Sequence, residues 1–138
     1  MEWNPVGGNV EGAIWRGLHI GKELVRARNE ALAYLGFRDA ENQAQIVTCV
    51  IDGGQSVRFY SHHASHLPDG TMQYYHAQID GEWTLTESSS NFQIARELLL
   101  NLQYRAMRCS IRLCSAIQER ALRRLFGPAL HVTYEHDP

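Results

Sequence analysis

A single lysine, Lys22, stands in 138 residues, so one of the usual marks of a nucleic-acid-binding surface is missing from the outset. Cysteine is nearly as sparse. Cys49, Cys109 and Cys114 cannot all pair and none sits in a CxxC arrangement, so reduced thiols are expected in place of a disulfide framework. Their expected role is packing in apolar surroundings. No apolar run approaches a membrane span. The opening "MEWNPVGGNVEG" carries two acids, a Trp and three glycines, where a secretory signal needs a basic start and an apolar core. An intracellular, cytoplasmic protein with no membrane partner is the expectation. GxSxG, HExxH, GxxxxGK[ST] and GxGxxG are all absent, so the commonest hydrolase, zinc-protease and nucleotide-binding motifs have no foothold.

What is present fits one ordinary domain spanning 1–138, with 44% hydrophobic and 20% charged residues. Net charge is −2, but the basic residues are gathered late in the chain. Seven arginines between Arg96 and Arg124 face only Glu97 and Glu119, a local charge of +5. Arg105, Arg108 and Arg112 are spaced three and four apart and share one face of a helix. They form a candidate anion-binding face, although such a stripe is commonly a solvated outer surface that complements the helix dipole.

Periodicity outlines the fold. Residues 9–35 predict a helix capped by Asn9 and ended by Gly36, with Val10, Ile14, Leu18, Gly21, Val25, Leu32 and Leu35 in helical spacing. Gly17 and Gly21 lie one turn apart within it, at a cost of about 1 kcal/mol each against alanine, which close packing on a neighbouring element would offset. The alternative is a helix that bends or starts after Gly21. "AQIVTCVI" (44–51) predicts a central strand buried on both faces. "QSVRFYSHH" (55–63), "TMQYYHAQI" (71–79) and "EWTLTE" (82–87) continue an antiparallel meander through "DGG", "LPDG" and "DG" turns. Ser90 and Gln93 are spaced as a capping box for a long helix over 91–126, with Phe92, Ala95, Leu98, Leu99, Leu102, Ala106, Cys109, Leu113, Ile117 and Leu125 as its inner face. The tail "ALHVTYEHDP" could supply a short edge strand. The fold expected is α+β: an antiparallel sheet of four or five strands packed by an N-terminal helix and a long C-terminal helix.

The chemistry concentrates in "YSHHASHLPDG" (60–70), where three of the seven histidines fall within five positions. His62 ends one strand, His63 and His66 follow it, and His76 lies across the hairpin. His63 and His66 with Asp69 or His76 could be read as zinc ligands, but no strict zinc spacing exists, and a polar hairpin tip explains the same residues. The reading carried forward has no metal and no cofactor. His62 and His76, which titrate near neutrality, are candidate acid–base residues, with Tyr60 and Tyr74 as the walls of a pocket between sheet and long helix. These tyrosines could equally be ordinary cross-strand pairs.

The segments "VTCVIDGGQSVRFYSHH", "MQYYHAQIDGEW" and "SSSNFQIARELLLNL" give an order of buried strand, D-G turn, aromatic strand, further hairpin and closing helix. This resembles the C-terminal half of the PD-(D/E)XK, or restriction-endonuclease-like, domains over roughly residues 10–104. The nuclease members of that family hold a divalent metal with an early acid, then an Asp and an E-x-K on a hairpin before the helix that corresponds to 9–35. Only eight residues precede that helix here, and Ile20 stands two before the sole lysine, so no E-x-K occurs. Asp52 occupies the later turn and cannot inherit a catalytic role. The resemblance therefore implies a protein without nuclease activity.

Three functions remain open. One is a nuclease-fold remnant acting as a binding or assembly module, expected to be a homodimer because a shortened sheet leaves an edge and an apolar face to cover. Another is a small-molecule enzyme, such as a cyclase, isomerase or lyase, using His62, His76, Tyr60 and Tyr74. The third is nucleic-acid binding through Arg105, Arg108 and Arg112, disfavoured because no aromatic stripe or overall basic charge accompanies them.

Overall fold

The computed structural model describes residues 2–4, 9–41, 43–52, 56–84 and 89–127. Along the chain these form β1 (Glu2–Asn4), α1 (Val10–Leu35), β2 (Ile46–Asp52), β3 (Ser56–His66), β4 (Met72–Thr84) and α2 (Ser89–Phe126). The α+β fold expected from sequence is found. A four-stranded sheet in the order β1-β2-β3-β4 is flanked by the two helices.

Both ends of α1 follow from local chemistry. Asn9 is extended and its side-chain oxygen accepts the N–H of Gly12 at 3.0 Å, relieving an otherwise unpaired donor of the first turn. At the other end Gly36 turns left-handed at φ 83°, and the N–H groups of Gly36 and Phe37 donate back to Ala33 and Leu32. Between these caps the helix runs unbroken through Gly17 and Gly21. A Cβ on Gly17 would stand 3.0 Å from Val50 Cγ2, and one on Gly21 would overlap the imidazole of His62. The two glycines let the helix backbone settle onto β2 and β3, and that packing offsets their low helix propensity.

The strands β2, β3 and β4 form the expected antiparallel meander, with Cys49 opposite Phe59 and His62 opposite His76. Alternation divides their side chains between two cores. Val50 and Tyr60 meet Ala13 of α1, joined by Ile14 and Leu18. On the opposite face Cys49, Val57 and Phe59 are packed by Ile79 and Trp83 and by Leu98, Leu99 and Leu102 of α2. Phe59 and Trp83 meet edge to face at 5.5 Å, as ring quadrupoles favour. The molecule is thus layered as α1, sheet, α2. Thr48, Cys49 and Val50 are buried in succession, as a central strand covered on both sides requires.

Several details differ from the sequence reading. The fourth strand is β1, paired in parallel with β2 through Glu2 opposite Val50. Residues 71–79 and 82–84 are one continuous β4. Phe59 pairs with Ile79 and Val57 with Trp83, so two steps of β3 span four of β4, and Asp80-Gly81 sits in an irregularity of a single strand where a hairpin turn was expected. Gly53 and Gly54 of the expected "DGG" turn, the end of "EWTLTE" and the expected tail strand lie outside the described residues. The long helix begins at Ser89, so Ser90 lies inside its first turn. Only Cys49 is buried; Cys109 and Cys114 are exposed on α2, which projects past the sheet. Of the expected inner face, Ala95, Leu98, Leu99 and Leu102 pack, whereas Phe92 and Leu125 are exposed.

Two contacts pin the helices further down. Arg28 of α1 grips Asp39 through Nε and a terminal nitrogen at 2.6 and 2.8 Å, a fork-to-carboxylate pair that fixes the segment after α1. Arg120 and Arg124 of α2 lie over the Tyr34 ring, 5.3 and 4.9 Å from its centroid. Among the described residues no helix is long and apolar enough to cross a membrane.

Candidate functional site

Residues Trp15, Leu18, His19 and Lys22 recur at intervals of three and four, so α1 presents them on one face. Opposite them, Met72, Tyr74 and His76 alternate along β4 and share a face of the sheet with His62 of β3. The hairpin holding them is closed by "LPDG". Gly70 is left-handed at φ 82° and donates to Leu67, while the Asp69 carboxylate accepts the Thr71 N–H at 2.8 Å, which lowers its pKa. Together α1, β3 and β4 enclose a groove of about 480 Å³.

His62 forms the floor and is 2% exposed. Its Nε2 is 2.7 Å from Thr48 Oγ1 on β2, and both ring nitrogens lie on the edge that faces the Gly21 backbone. Burial, reinforced by the neighbouring charge of His76, pushes its pKa down to about 4. His62 is therefore neutral at physiological pH and occupied by the fold. His76 sits across the strand pair, its ring centroid 6.4 Å from that of His62. Higher on the wall, the Lys22 ammonium lies over the Tyr74 ring at 5.5 Å. His63 and Tyr75 stack across the strands at 5.0 Å and 13°.

His62, His76 and Tyr74 are thus brought to one site, as their spacing suggested. Tyr60 is not; it is buried against Ala13 and Val50 in the α1-side core, since its position two residues before His62 places it deeper under the helix. The groove also lies against α1, not against the long helix as expected, because the face of the sheet that carries His62 is the one α1 covers. Trp15, Leu18, His19 and Lys22 were missed as site residues. The signal was available: a lone lysine and a histidine one turn apart on the helix that has to pack on the His-bearing strands. Among the described residues, no three His, Cys, Asp or Glu side chains converge to hold a metal ion. His66 is exposed near the hairpin tip.

The three arginines singled out earlier stand on the exposed middle of α2, where residues 103–112 are all open to solvent. Arg108 lies over the ring of Tyr104 at 5.7 Å. They are on α2, across the sheet from the α1 groove, and none of them lines it. No protein-family model matches this chain, and no curated protein or solved structure shows significant similarity to it.

Proposed function

We propose that this chain is a binding and assembly module whose α1–sheet groove holds a small anionic ligand with a flat apolar body. The observation that carries the reading is the chemistry of the lining. Lys22, His19, His63 and His76 supply nitrogen donors, Trp15, Tyr74, Tyr75 and Met72 supply aromatic and apolar surface, and none of the described lining residues is acidic. Such a mixture of flat apolar walls, one lysine and a few nitrogen donors suits a carboxylate or phosphate ester on a planar frame. Binding is favoured over acid–base catalysis because one of the two candidate histidines, His62, is sealed between Thr48 and Gly21. The helix, meander and closing-helix order resembles part of a restriction-endonuclease-like domain, and the module acts as a homodimer.

A test uses naphthoate as the anionic planar probe, followed by calorimetry on the full chain. Binding weakened at least about tenfold by Lys22→Gln, roughly one charge-assisted contact, is the expected result. Absence of heat with the wild type, or heat indifferent to Lys22→Gln and His76→Ala, would overturn the reading.

A further inference from the structure

The outward side of α2 carries a seam that nothing within the described chain covers. Leu100, Tyr104, Met107, Ile111, Cys114, Gln118, Ala121 and Leu125 follow one another at steps of four, three, four, three, four, three and four. This is the 3.5-residue repeat of a two-stranded coiled coil, sustained for more than three heptads. Leu98, Leu99 and Leu102, which pack on the sheet, project from the opposite side of the helix. The seam is exposed at every position but Ala121, which is half-buried. Tyr104 is 59% exposed, Met107 53%, Ile111 58% and Leu125 75%. A helix of 38 residues is about 57 Å long, and its sheet-packed leucines lie in its first half.

We propose that a second copy of this chain packs on this seam, its α2 parallel and in register with the first. This rests on the homodimer proposed above and names its interface. Area supports the assignment. Five large apolar side chains of roughly 200 Å² each, a little over half exposed, leave on the order of 600 Å² per copy, so a pair buries roughly 1,200 Å², at the lower end of the range of stable interfaces. Isologous pairing is also what a self-complementary stripe gives without further growth.

The parallel direction follows from the polar layer and the flanks. In register, Gln118 meets Gln118 of the other copy, and the two amides can pair. Reversed, Gln118 would face Met107 and bury an amide without a partner. The residues flanking the parallel seam meet as Gln103 with Arg108, Ser110 with Ser115, and Ile117 with Leu122, so no like charges face each other. Cys114 meets its own counterpart in a core layer.

The experiment is sedimentation equilibrium of the wild type and of Met107→Glu/Ile111→Glu, with thermal melting as the folding control, since both side chains are exposed in the single chain. A dimeric wild type, a monomeric variant and an unchanged melting profile at the monomer level are expected. In a Cys109→Ser background, mild oxidation by diamide should link the wild-type seam through Cys114, with two thiols giving up their hydrogens to the azo bond as the disulfide forms; Cys49 is buried. A wild type monomeric at every concentration would overturn the homodimer itself. A dimer that survives the double substitution would overturn the seam alone and place the interface elsewhere, β4 being the long edge strand among the described residues. A dimer lost on substitution but never linked through Cys114 would overturn the parallel register.

Discussion

The imidazole of His62 occupies the space in which any other residue at position 21 would carry its Cβ. Helix propensity alone makes Gly21→Ala favourable by about 1 kcal/mol. Overlap with a buried ring reverses the sign, and a net loss of about 1–3 kcal/mol is expected in chemical denaturation. Gly12→Ala is the control, because its Cβ would meet nothing closer than 3.5 Å. Adding His62→Ala to Gly21→Ala should recover part of the loss, so that the pair is non-additive by at least about 0.5 kcal/mol. Additive behaviour would show that the two do not share one space.

The same burial makes stability depend on pH. The native pKa of His62, about 4, lies below the unfolded value near 6.5. Between those values the unfolded chain holds a proton that the native chain does not, so stability is complete above pH 6.5 and declines as pH falls towards 4. The slope approaches 1.4 kcal/mol per pH unit, and about 2 kcal/mol should be lost between pH 7 and pH 5. His62→Gln, which can still meet Thr48, should remove that part of the pH dependence. An equal loss in both proteins would assign it to other groups.

The thiols should separate into two classes. Cys109 and Cys114 are exposed, whereas Cys49 is buried and its thiol is pushed up to about 11 by that burial. The monomeric Met107→Glu/Ile111→Glu protein should release two equivalents of chromophore quickly from a disulfide reagent such as Ellman's, and the third only on unfolding. Three fast equivalents would contradict the buried position of Cys49.

Arg105, Arg108 and Arg112 are exposed on α2, yet no salt-sensitive binding of duplex or single-stranded DNA or RNA is expected near physiological ionic strength. A band shift abolished by replacing all three with alanine would reverse that expectation and make α2 a phosphate-binding surface.

The parts of the fold legible in the sequence are those written in local chemistry. Asn9 and Gly36 fix α1 because cap geometry depends on neighbours a few residues away, and the nearly continuous apolar run at 44–51 marks a strand covered on both faces. Asp80-Gly81 misled because a turn-forming pair can also sit in an irregularity when β3 continues opposite it, and only the partner strand distinguishes the two. β1 was silent because three residues carry no period. In the groove, His62, Tyr74 and His76 were legible through strand alternation. Tyr60 was not, since which strand residues pass beneath α1 depends on the close approach at Gly17 and Gly21. The outer seam of α2 was overlooked because the inner residues have helical spacing too, and both faces fit one helix.

The pairing of Glu2 with Val50 spans roughly fifty positions, while every other strand pair joins neighbours in the chain. The meander can close its short loops first, and α1 needs only its own caps to begin. β1 has to wait for β2 to be in place before it finds any partner at all. Until then one side of β2 is an unpaired template, so the docking of β1 removes a sticky edge, and the amides shared by β1 and β2 should be the first of the sheet to exchange with solvent.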